Sequence, residues 1–401
     1  MSRNAFLQFL KTEIPRTIWA IGISSLLINL STAIIQSSSA VYLRTVIGVG
    51  VSTIGIIEGV VECIANTVKI FSGVISDFLR HRKWFMVLGF VLLTISKPLM
   101  AFSKNLSFVL FARTVDRIGN GIQASPRDAL ISDSAPKDVK GACYGLRQSL
   151  SVIGSTLGGV FGMIVMKLSN DNFQLLFILA TIPAIFAVTI LIIFVKESIH
   201  EKKTGKRKIH IRDLKALGSR FWLLMIVVAI FMMARFGEYF IALHACENLN
   251  MEKAYLFAIV VIFNLFSTLS AYPTGKLSDK MNKTKLLMIG FSTLILSDMC
   301  LFIANNLILI LIGTACWGIQ RGICDGLFSV LISDFVPKEL RGTGFGVYYI
   351  VVSASVFCAN TIAGVVSSKY TESLAFLSGA FICLLSIVVL LILREKFYKK
   401  N

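Results

Sequence analysis

The sequence predicts an all-α membrane protein with twelve transmembrane helices in two parallel, pseudo-repeated halves of six helices each. Two observations support this fold class. The 401 residues are 55% hydrophobic and only 15% charged, with a mean hydropathy of +0.77. This is too apolar for a soluble globular domain. In addition, stretches of the first half of the chain recur in the second half.

Each predicted helix is a long apolar stretch bounded by short polar turns. A helix needs about 20 apolar residues to cross a bilayer core of about 30 Å. Unbroken apolar runs favour helices because a helix satisfies its backbone hydrogen bonds internally. In chain order the twelve cores are residues 15–43, 51–78, 83–103, 106–131, 141–167, 172–195, 219–246, 253–278, 285–304, 306–333, 341–368 and 372–393.

The formal charge of +18 arises from 40 Lys and Arg residues against 22 Asp and Glu residues. Most of the basic residues fall in the termini, the central loop and alternate connecting loops. Basic loops mark the cytoplasmic side. We therefore expect both termini in the cytoplasm and a location in a plasma membrane or bacterial inner membrane. The lipid bilayer accounts for the charge pattern, so no nucleic-acid partner is expected, and we expect a monomer.

Metal, cofactor and enzyme chemistry find no support in the sequence. The eight cysteines lie mostly in apolar segments and form no C-x-x-C motif, and there are only four histidines. This pattern favours neither a disulfide framework nor a metal site. No phosphate-binding G-x-x-x-x-G-K-S/T motif occurs, so ATP-driven transport is not expected. No nucleophile, histidine and acid constellation suggests an enzyme.

The internal repeat divides the chain. Residues 130–149 align without gaps with residues 331–350, sharing Leu, Ile, Ser, Asp, Pro, Lys and two Gly. A second match aligns Gly73 with Gly275 and Asp77 with Asp279. An even number of helices per half makes the repeats parallel. We predict an N-terminal half at 1–195, a basic cytoplasmic linker at 196–218 and a C-terminal half at 219–401.

Three motifs resemble those of a known family. The loop after the second segment carries Gly73, Asp77 and Arg82, similar to G-x-L-A-D-R-x-G-R-K. The fourth segment carries Arg117, Asn120, Gly121 and Gln123, and the fifth carries Gly154, Gly158, Gly159 and Gly162. With the two-half plan, they resemble the bacterial twelve-helix type of the major facilitator superfamily of secondary transporters. The resemblance implies the fold of this superfamily and transport by alternating access. It also implies a central cavity lined by helices 1, 4, 7 and 10.

Positions shared by the two halves are expected to serve the common fold and the gates. Carboxylates at the cytoplasmic loop entrances can meet a helix N-terminus or a nearby arginine. Such contacts would hold one face closed and break when it opens. The predicted cytoplasmic gate consists of Gly73, Asp77, Arg82, Arg127, Asp128, Gly275 and Asp279.

Charged positions that the halves do not share are expected to handle an asymmetric substrate or ion, because charges at membrane depth are expensive and usually functional. These unshared charged positions are Glu58, Glu62, Arg113, Asp116, Arg117, Arg147, Arg235, Glu238, Arg321 and Asp325. Several of them share one helical face with another at a spacing of i and i+3 or i+4. The alternative is that each pair is a structural ion pair. Helix 1 adds polar Asn29, Thr32 and Gln36. Isolated Lys97, near the outer end of its helix, is predicted to extend to the membrane interface. Asp298 and His244 are predicted to be peripheral, with His244 a candidate proton relay.

The chemistry of these residues indicates the substrate class. Guanidinium groups bind carboxylates and phosphates bidentately, so the deep arginines favour an anion. The neighbouring carboxylates partly balance them, which leaves a zwitterion open. Carboxylates can also take up and release protons as their access alternates. We expect a proton-coupled secondary transporter of a small polar solute. The glycine-rich fifth segment favours export; proton-symport uptake and a non-transporting receptor are the alternatives.

Overall fold

The computed structural model describes residues 14–79, 82–136, 140–197, 217–248, 252, 255–278, 281–337 and 340–398. These residues form thirteen α-helices and contain no strand. They are α1 (Arg16–Thr45), α2 (Val51–Leu79), α3 (Arg82–Ala101), α4 (Leu106–Ser134), α5 (Lys140–Leu168), α6 (Phe173–Phe194), α7 (Ser219–Ala234), α8 (Tyr239–Asn248), α9 (Leu256–Ser278), α10 (Lys283–Phe302), α11 (Leu307–Phe335), α12 (Arg341–Lys369) and α13 (Glu372–Tyr398).

Eleven spans in the described part of the chain are long and apolar enough to cross a membrane, with α7 and α8 counted as one span, Ser219–Cys246. The remaining helix is α4, which has the length but carries six charged residues inside it. The all-helical membrane fold is thus confirmed. The charges of α4 set it apart as a helix that needs protein neighbours rather than lipid.

The repeat is visible in the helices themselves. Helices α3 and α10 both have 20 residues, α4 and α11 both have 29, and α5 and α12 both have 29. The caps repeat as well, since Asn105 accepts a hydrogen bond from the Phe108 amide and Asn306 from the Leu309 amide. Asparagine at this position satisfies a backbone donor that the helix cannot. The two halves therefore share helix lengths as well as sequence.

The seventh segment is broken, which corrects the prediction of one continuous helix over 219–246. Helix α7 ends at Ala234 and α8 begins at Tyr239. The amide of Gly237 donates to the side-chain oxygen of Asn360 on α12 at 2.8 Å, and the Tyr239 hydroxyl donates to the same oxygen at 3.1 Å. Glycine weakens a helix interior, and Asn360 supplies the acceptor that the broken helix lacks.

The described residues pack as two compact units. Unit 1 comprises those within Met1–Ser38 and Thr67–Lys203, and unit 2 those within Ser39–Asn66 and Thr204–Asn401. The end of α1 and the first part of α2 therefore pack with unit 2. The boundaries at 195 and 219, which rest on the linker's composition, stay a prediction.

In unit 1 the glycines of α5 serve close helix packing. A Cβ atom on Gly154 would collide with the backbone carbonyl of Leu26 on α1, and one on Gly158 with that of Leu30. Small residues let two helix backbones approach in this way. Nearby, Ile18, Phe90 and Leu146 contribute to a continuous apolar core.

Replacing Gly154 by valine is expected to destabilise unit 1 by about 1–3 kcal/mol, because overpacking forces backbones apart. Gly145 on the same helix is the matched control, since a Cβ there meets nothing within 4 Å. Gly145→Ala should leave the melting temperature unchanged or raise it, as alanine favours helix. Thermal unfolding in detergent, followed by circular dichroism, measures both variants. Equal melting temperatures for Gly154→Val and wild type would contradict the packing role.

Unit 2 has a similar close approach between α2 and α12 and a large aromatic core. A Cβ on Gly364 would lie 3.1 Å from the Ser52 backbone, and one on Gly59 would lie 3.2 Å from the Phe357 backbone. Phe231 stacks on Phe291 with ring centroids 4.0 Å apart. The aromatic packing holds α7, α10 and α11 together and frames the charged residues described next.

Candidate functional site

A buried group of charges joins α3 to α4 in unit 1. We call Lys97, Arg113, Asp116 and Arg117 the α3–α4 cluster. Lys97 Nζ lies 2.7 Å from Asp116 Oδ1, and Arg117 Nη2 lies 2.6 Å from Asp116 Oδ2. The side chains of Lys97 and Asp116 are both 0% exposed, and Arg113 and Arg117 are also buried. One carboxylate is thus shared among positive side chains at membrane depth.

The predicted position of Lys97 was wrong. We expected it to reach the interface as an isolated side chain, yet it is fully buried against Asp116. The Ser96 hydroxyl also donates to Asp116, at 3.0 Å. The reason is a partner on another helix, because a buried lysine is tolerated when an ion pair compensates its lost hydration.

Helix α1 reaches this cluster through one of its three predicted polar residues. Thr32 Oγ1 lies 3.5 Å from Lys97 Nζ. The Asn29 amide instead donates to the Ser25 carbonyl of its own helix at 2.6 Å, and Gln36 is exposed. Of the three, Thr32 is therefore the residue that the structure brings to the charges.

A second group of charges lies in unit 2, and we call Arg235, Glu238, Arg321 and Asp325 the α7–α11 network. Arg235 binds Asp325 with both terminal nitrogens, at 2.6 and 3.4 Å. Arg321 Nε lies 3.5 Å from Asp325, and Arg321 Nη1 lies 3.9 Å from Glu238. Acidic and basic groups alternate along the network. Unlike the α3–α4 cluster it is accessible, since the Asp325 side chain is 46% exposed.

The helix break explains the pairing in this network. We expected Arg235 and Glu238 to share one helical face, but α7 ends at Ala234 and the interval between them is not helical. That expectation was wrong. Arg235 instead turns to α11, and Arg321 also stacks over the Phe263 ring at 5.0 Å. Arginine favours such aromatic faces.

Arg147 lies with the predicted gate residues rather than with Asp116. Its Nη2 is 3.7 Å from Asp128 Oδ1, and Arg127 Nε is 3.1 Å from the same oxygen. The Tyr144 hydroxyl donates to the Asp128 backbone carbonyl at 2.7 Å. The end of α4 and the start of α5 are thus tied together by one carboxylate and two guanidinium groups.

The repeat places one further ion pair at equivalent positions in each unit. Arg82 pairs with Asp133 in unit 1, and Lys283 pairs with Asp334 in unit 2. Sequence reasoning selected Arg82 but missed its partner, although both aspartates lie in the repeated stretch. Gly275 is exposed, and a Cβ atom built on it would meet nothing within 4 Å. The environments of Gly73 and Asp77 on α2, and all of Asp279, lie outside what the structure describes.

The two acidic residues of α2 belong to unit 2. Glu58 accepts a hydrogen bond from the Ser39 hydroxyl at 3.4 Å, and Glu62 follows one turn later. Both are half-buried. The structure therefore joins Glu58 to the end of α1.

Asp298 and His244 are both buried in unit 2, at 0% and 1% exposure, so the prediction that they are peripheral was wrong. The His244 ring packs edge-on against Phe376 with centroids 5.3 Å apart. Phe376 in turn packs against Phe236 from the helix break. Aromatic side chains from α13 and from the break between α7 and α8 lie beside these polar groups, an arrangement that a single helical pattern does not reveal.

A family model described as the Major Facilitator Superfamily matches residues 21–356 and 240–401. The chain belongs to the major facilitator superfamily. The resemblance inferred from the motifs is confirmed, and the chain is a multi-pass membrane transporter.

Among superfamily relatives, an uncharacterized MFS-type transporter of Methanocaldococcus jannaschii is 29% identical over 388 residues, which cover 94% of this chain and 95% of that protein. A POT family transporter solved with 5-aminolevulinic acid superposes with a TM-score of 0.80 at 14% identity, covering 97% and 98% of the two chains. A bacterial homolog of the human lysosomal transporter Spinster, in an inward-facing and occupied conformation, superposes at 0.77 with 13% identity, covering 95% and 96%. These structural likenesses establish the fold.

Proposed function

We propose that this chain is an alternating-access secondary active transporter of a small anionic or zwitterionic solute, coupled to protons and working as an exporter. The α3–α4 cluster is the observation that carries the proposal. Three basic side chains and one carboxylate are buried together on membrane helices. Burying ions costs several kcal/mol each unless opposite charges compensate, and an anionic group of the substrate supplies such a charge.

The α7–α11 network supports a zwitterionic substrate. Its arginines present guanidinium groups that bind carboxylates or phosphates bidentately, while Glu238 and Asp325 offer the opposite charge. Because the network is accessible, a solute with both charges can replace one existing ion pair with two new ones. Thr32 adds a neutral hydrogen-bonding group beside Lys97.

The ion pairs at helix ends support alternating access. In our proposal residues 1–195 and 219–401 are the two halves, 196–218 is the cytoplasmic linker, and the chain works as a monomer with both termini in the cytoplasm. The ion pairs at these helix ends form as the cytoplasmic face closes and break as it opens. They are the contacts of Asp128 with Arg127 and Arg147, the Arg82 pair and the Lys283 pair. Glu58 and Glu62 are further proton-binding candidates. Export rests on the glycines of α5, and uptake by proton symport is the alternative.

The test is a flux screen with purified protein in proteoliposomes, using anionic and zwitterionic metabolites, including 5-aminolevulinic acid, with and without an imposed pH gradient. We expect at least one compound to exchange across the membrane and to accumulate only when the gradient is present. Protein-free liposomes are the control. Specific binding without counterflow would instead identify a receptor. Flux that is insensitive to every pH gradient would remove proton coupling.

A further inference from the structure

The environment of Asp298 on α10 differs from that of every other acidic side chain discussed above. It is 0% exposed, and neither carboxylate oxygen has a hydrogen-bond partner among the described residues. A Cβ atom built on Gly379 of α13 would lie 2.9 Å from Asp298 Oδ2, 2.9 Å from the Phe236 ring and 3.1 Å from the Ala234 carbonyl oxygen. The carboxyl group, the ring and the carbonyl therefore surround one small space beside the break between α7 and α8.

The repeat shows what is unusual about this position. Ser297 and Asp298 on α10 occupy the positions of Ser96 and Lys97 on α3. Both units bury an ionisable residue at this position, a basic lysine in unit 1 and an acidic aspartate in unit 2. In unit 1 Lys97 meets Asp116, but the matching position in unit 2 is Trp317. The Trp317 ring packs edge-on against Phe236 at 5.3 Å, so an apolar side chain stands where the first unit has an ion partner.

The surrounding titratable groups carry no compensating charge. On α13 the Cys383 thiol donates to the Phe291 carbonyl at 3.3 Å. On α8 His244 bonds to the Leu301 carbonyl, one turn beyond Asp298 on α10. On α11 Cys324 packs near Gly290, Arg321 pairs with Asp325, and Asp325 also pairs with Arg235. At the break, Arg235 pairs with Asp325 and Glu238 with Arg321. None of these described groups lies within hydrogen-bond distance of the Asp298 carboxyl oxygens.

We infer that Asp298 is a proton-binding site, and that it carries the proton which couples transport in the proposed function. An ionised carboxylate without partners in an apolar interior is unfavourable by several kcal/mol. In the conformation described here the group is therefore the neutral acid. The Ala234 carbonyl borders the same small space as the carboxyl group, and it accepts no backbone hydrogen bond from the described residues.

The helix break links this proton to the charged network. The Ala234 carbonyl, which borders the space around Asp298, belongs to the peptide bond with Arg235, the residue that binds Asp325. When the break moves and water enters, the acid releases its proton to water and the carboxylate becomes hydrated. Reclosure requires a proton to be taken up again. One proton therefore crosses the membrane when the space around Asp298 opens first to one side of the membrane and then to the other.

Infrared difference spectroscopy on the full chain in proteoliposomes tests the site without a transported substrate, with the proton as the probe. At neutral pH we expect a carbonyl stretch from a protonated carboxylic acid, absent from Asp298→Asn and shifted in Asp298→Glu. Asp325→Asn is the matched control, and it should retain the band because Asp325 is ion-paired. Should Asp298→Asn fail to fold, the shift in Asp298→Glu makes the assignment. A band identical in wild type and in both Asp298 variants overturns the inference.

Transport measurements then separate this inference from the proposed function. With a compound found in the flux screen, Asp298→Asn should keep counterflow within about twofold of wild type but lose accumulation driven by the pH gradient. Gradient-driven accumulation that survives in Asp298→Asn overturns the coupling role while leaving the transporter intact. The infrared experiment tests the proton site even when no transported compound is found. A failure of the Asp298 inference can therefore be distinguished from a failure of the proposed function.

Discussion

Replacing Asp116 by asparagine is expected to abolish transport and to lower the free energy of unfolding by about 3–5 kcal/mol. The substitution keeps the volume of the side chain but removes the carboxylate that Lys97 and Arg117 contact at 2.7 and 2.6 Å. Lys97 and Arg117 are buried, at 0% and 4% exposure, and buried cations without compensation are strongly unfavourable. Unfolding in detergent and counterflow in proteoliposomes measure the two effects.

A double variant separates the structural part of this effect from the functional part. Lys97→Gln combined with Asp116→Asn removes one charge of each sign, so it should recover most of the lost stability. Transport should stay absent if Asp116 organises the arginines for an anion. Asp128→Asn is a useful comparison, because Asp128 is 41% exposed and its ion pairs contribute less. An Asp116→Asn protein that unfolds like wild type would refute the prediction.

Composition and the repeat were sufficient to predict the helical fold, because both are properties of the chain read in order. The equal lengths of α4 and α11 follow from a repeated sequence that begins and ends its helices with the same residue types, such as Asn105 and Asn306. Spacing also placed Arg113, Asp116 and Arg117 on one buried face. These results need only helical periodicity and the energetic cost of charge in a membrane.

Partners on different helices could not be predicted in this way. Lys97 seemed isolated because its carboxylate lies on the next helix, and Asp298 seemed peripheral because nothing in α10 shows what encloses it. Whether a charge at one repeat position is paired or unpaired depends on the facing residue, which is Asp116 in one unit and Trp317 in the other. Periodicity identifies a helical face but does not identify its neighbour.

The break in the seventh segment illustrates the same limit. Gly237 weakens the helix locally, but isolated glycines occur in many continuous helices. The break is stabilised by Asn360, which lies far away in sequence. The consequence is functional, because the break turns Arg235 towards Asp325 and leaves the Ala234 carbonyl beside Asp298. Gly237 was a signal in the sequence, but the break could be inferred from it only once the fold had placed Asn360 beside it.

Replacing Arg235 by glutamine is expected to slow transport by about 10- to 100-fold, because a charged hydrogen bond contributes about 1.5–3 kcal/mol and each 1.4 kcal/mol corresponds to about tenfold. Arg235 is the bidentate partner of Asp325. Without it, Asp325 depends on Arg321, and the alternating order of charges is lost. Initial rates of counterflow measure the loss. Lys283→Gln, which breaks the more exposed pair with Asp334, should change stability by less than about 1 kcal/mol.

The charge-swapped protein decides whether this pair only braces α7 against α11 or also handles substrate. Arg235→Asp with Asp325→Arg restores an ion pair between the same two positions, so thermal stability should return towards that of wild type. In the swapped protein, however, the guanidinium group projects from position 325 on α11. It therefore cannot bind a substrate anion where Arg235 would bind it. We expect stability to recover while transport stays at the level of Arg235→Gln. Recovery of both would show that the pair is purely structural and would leave Arg321 as the arginine of unit 2 that binds the substrate.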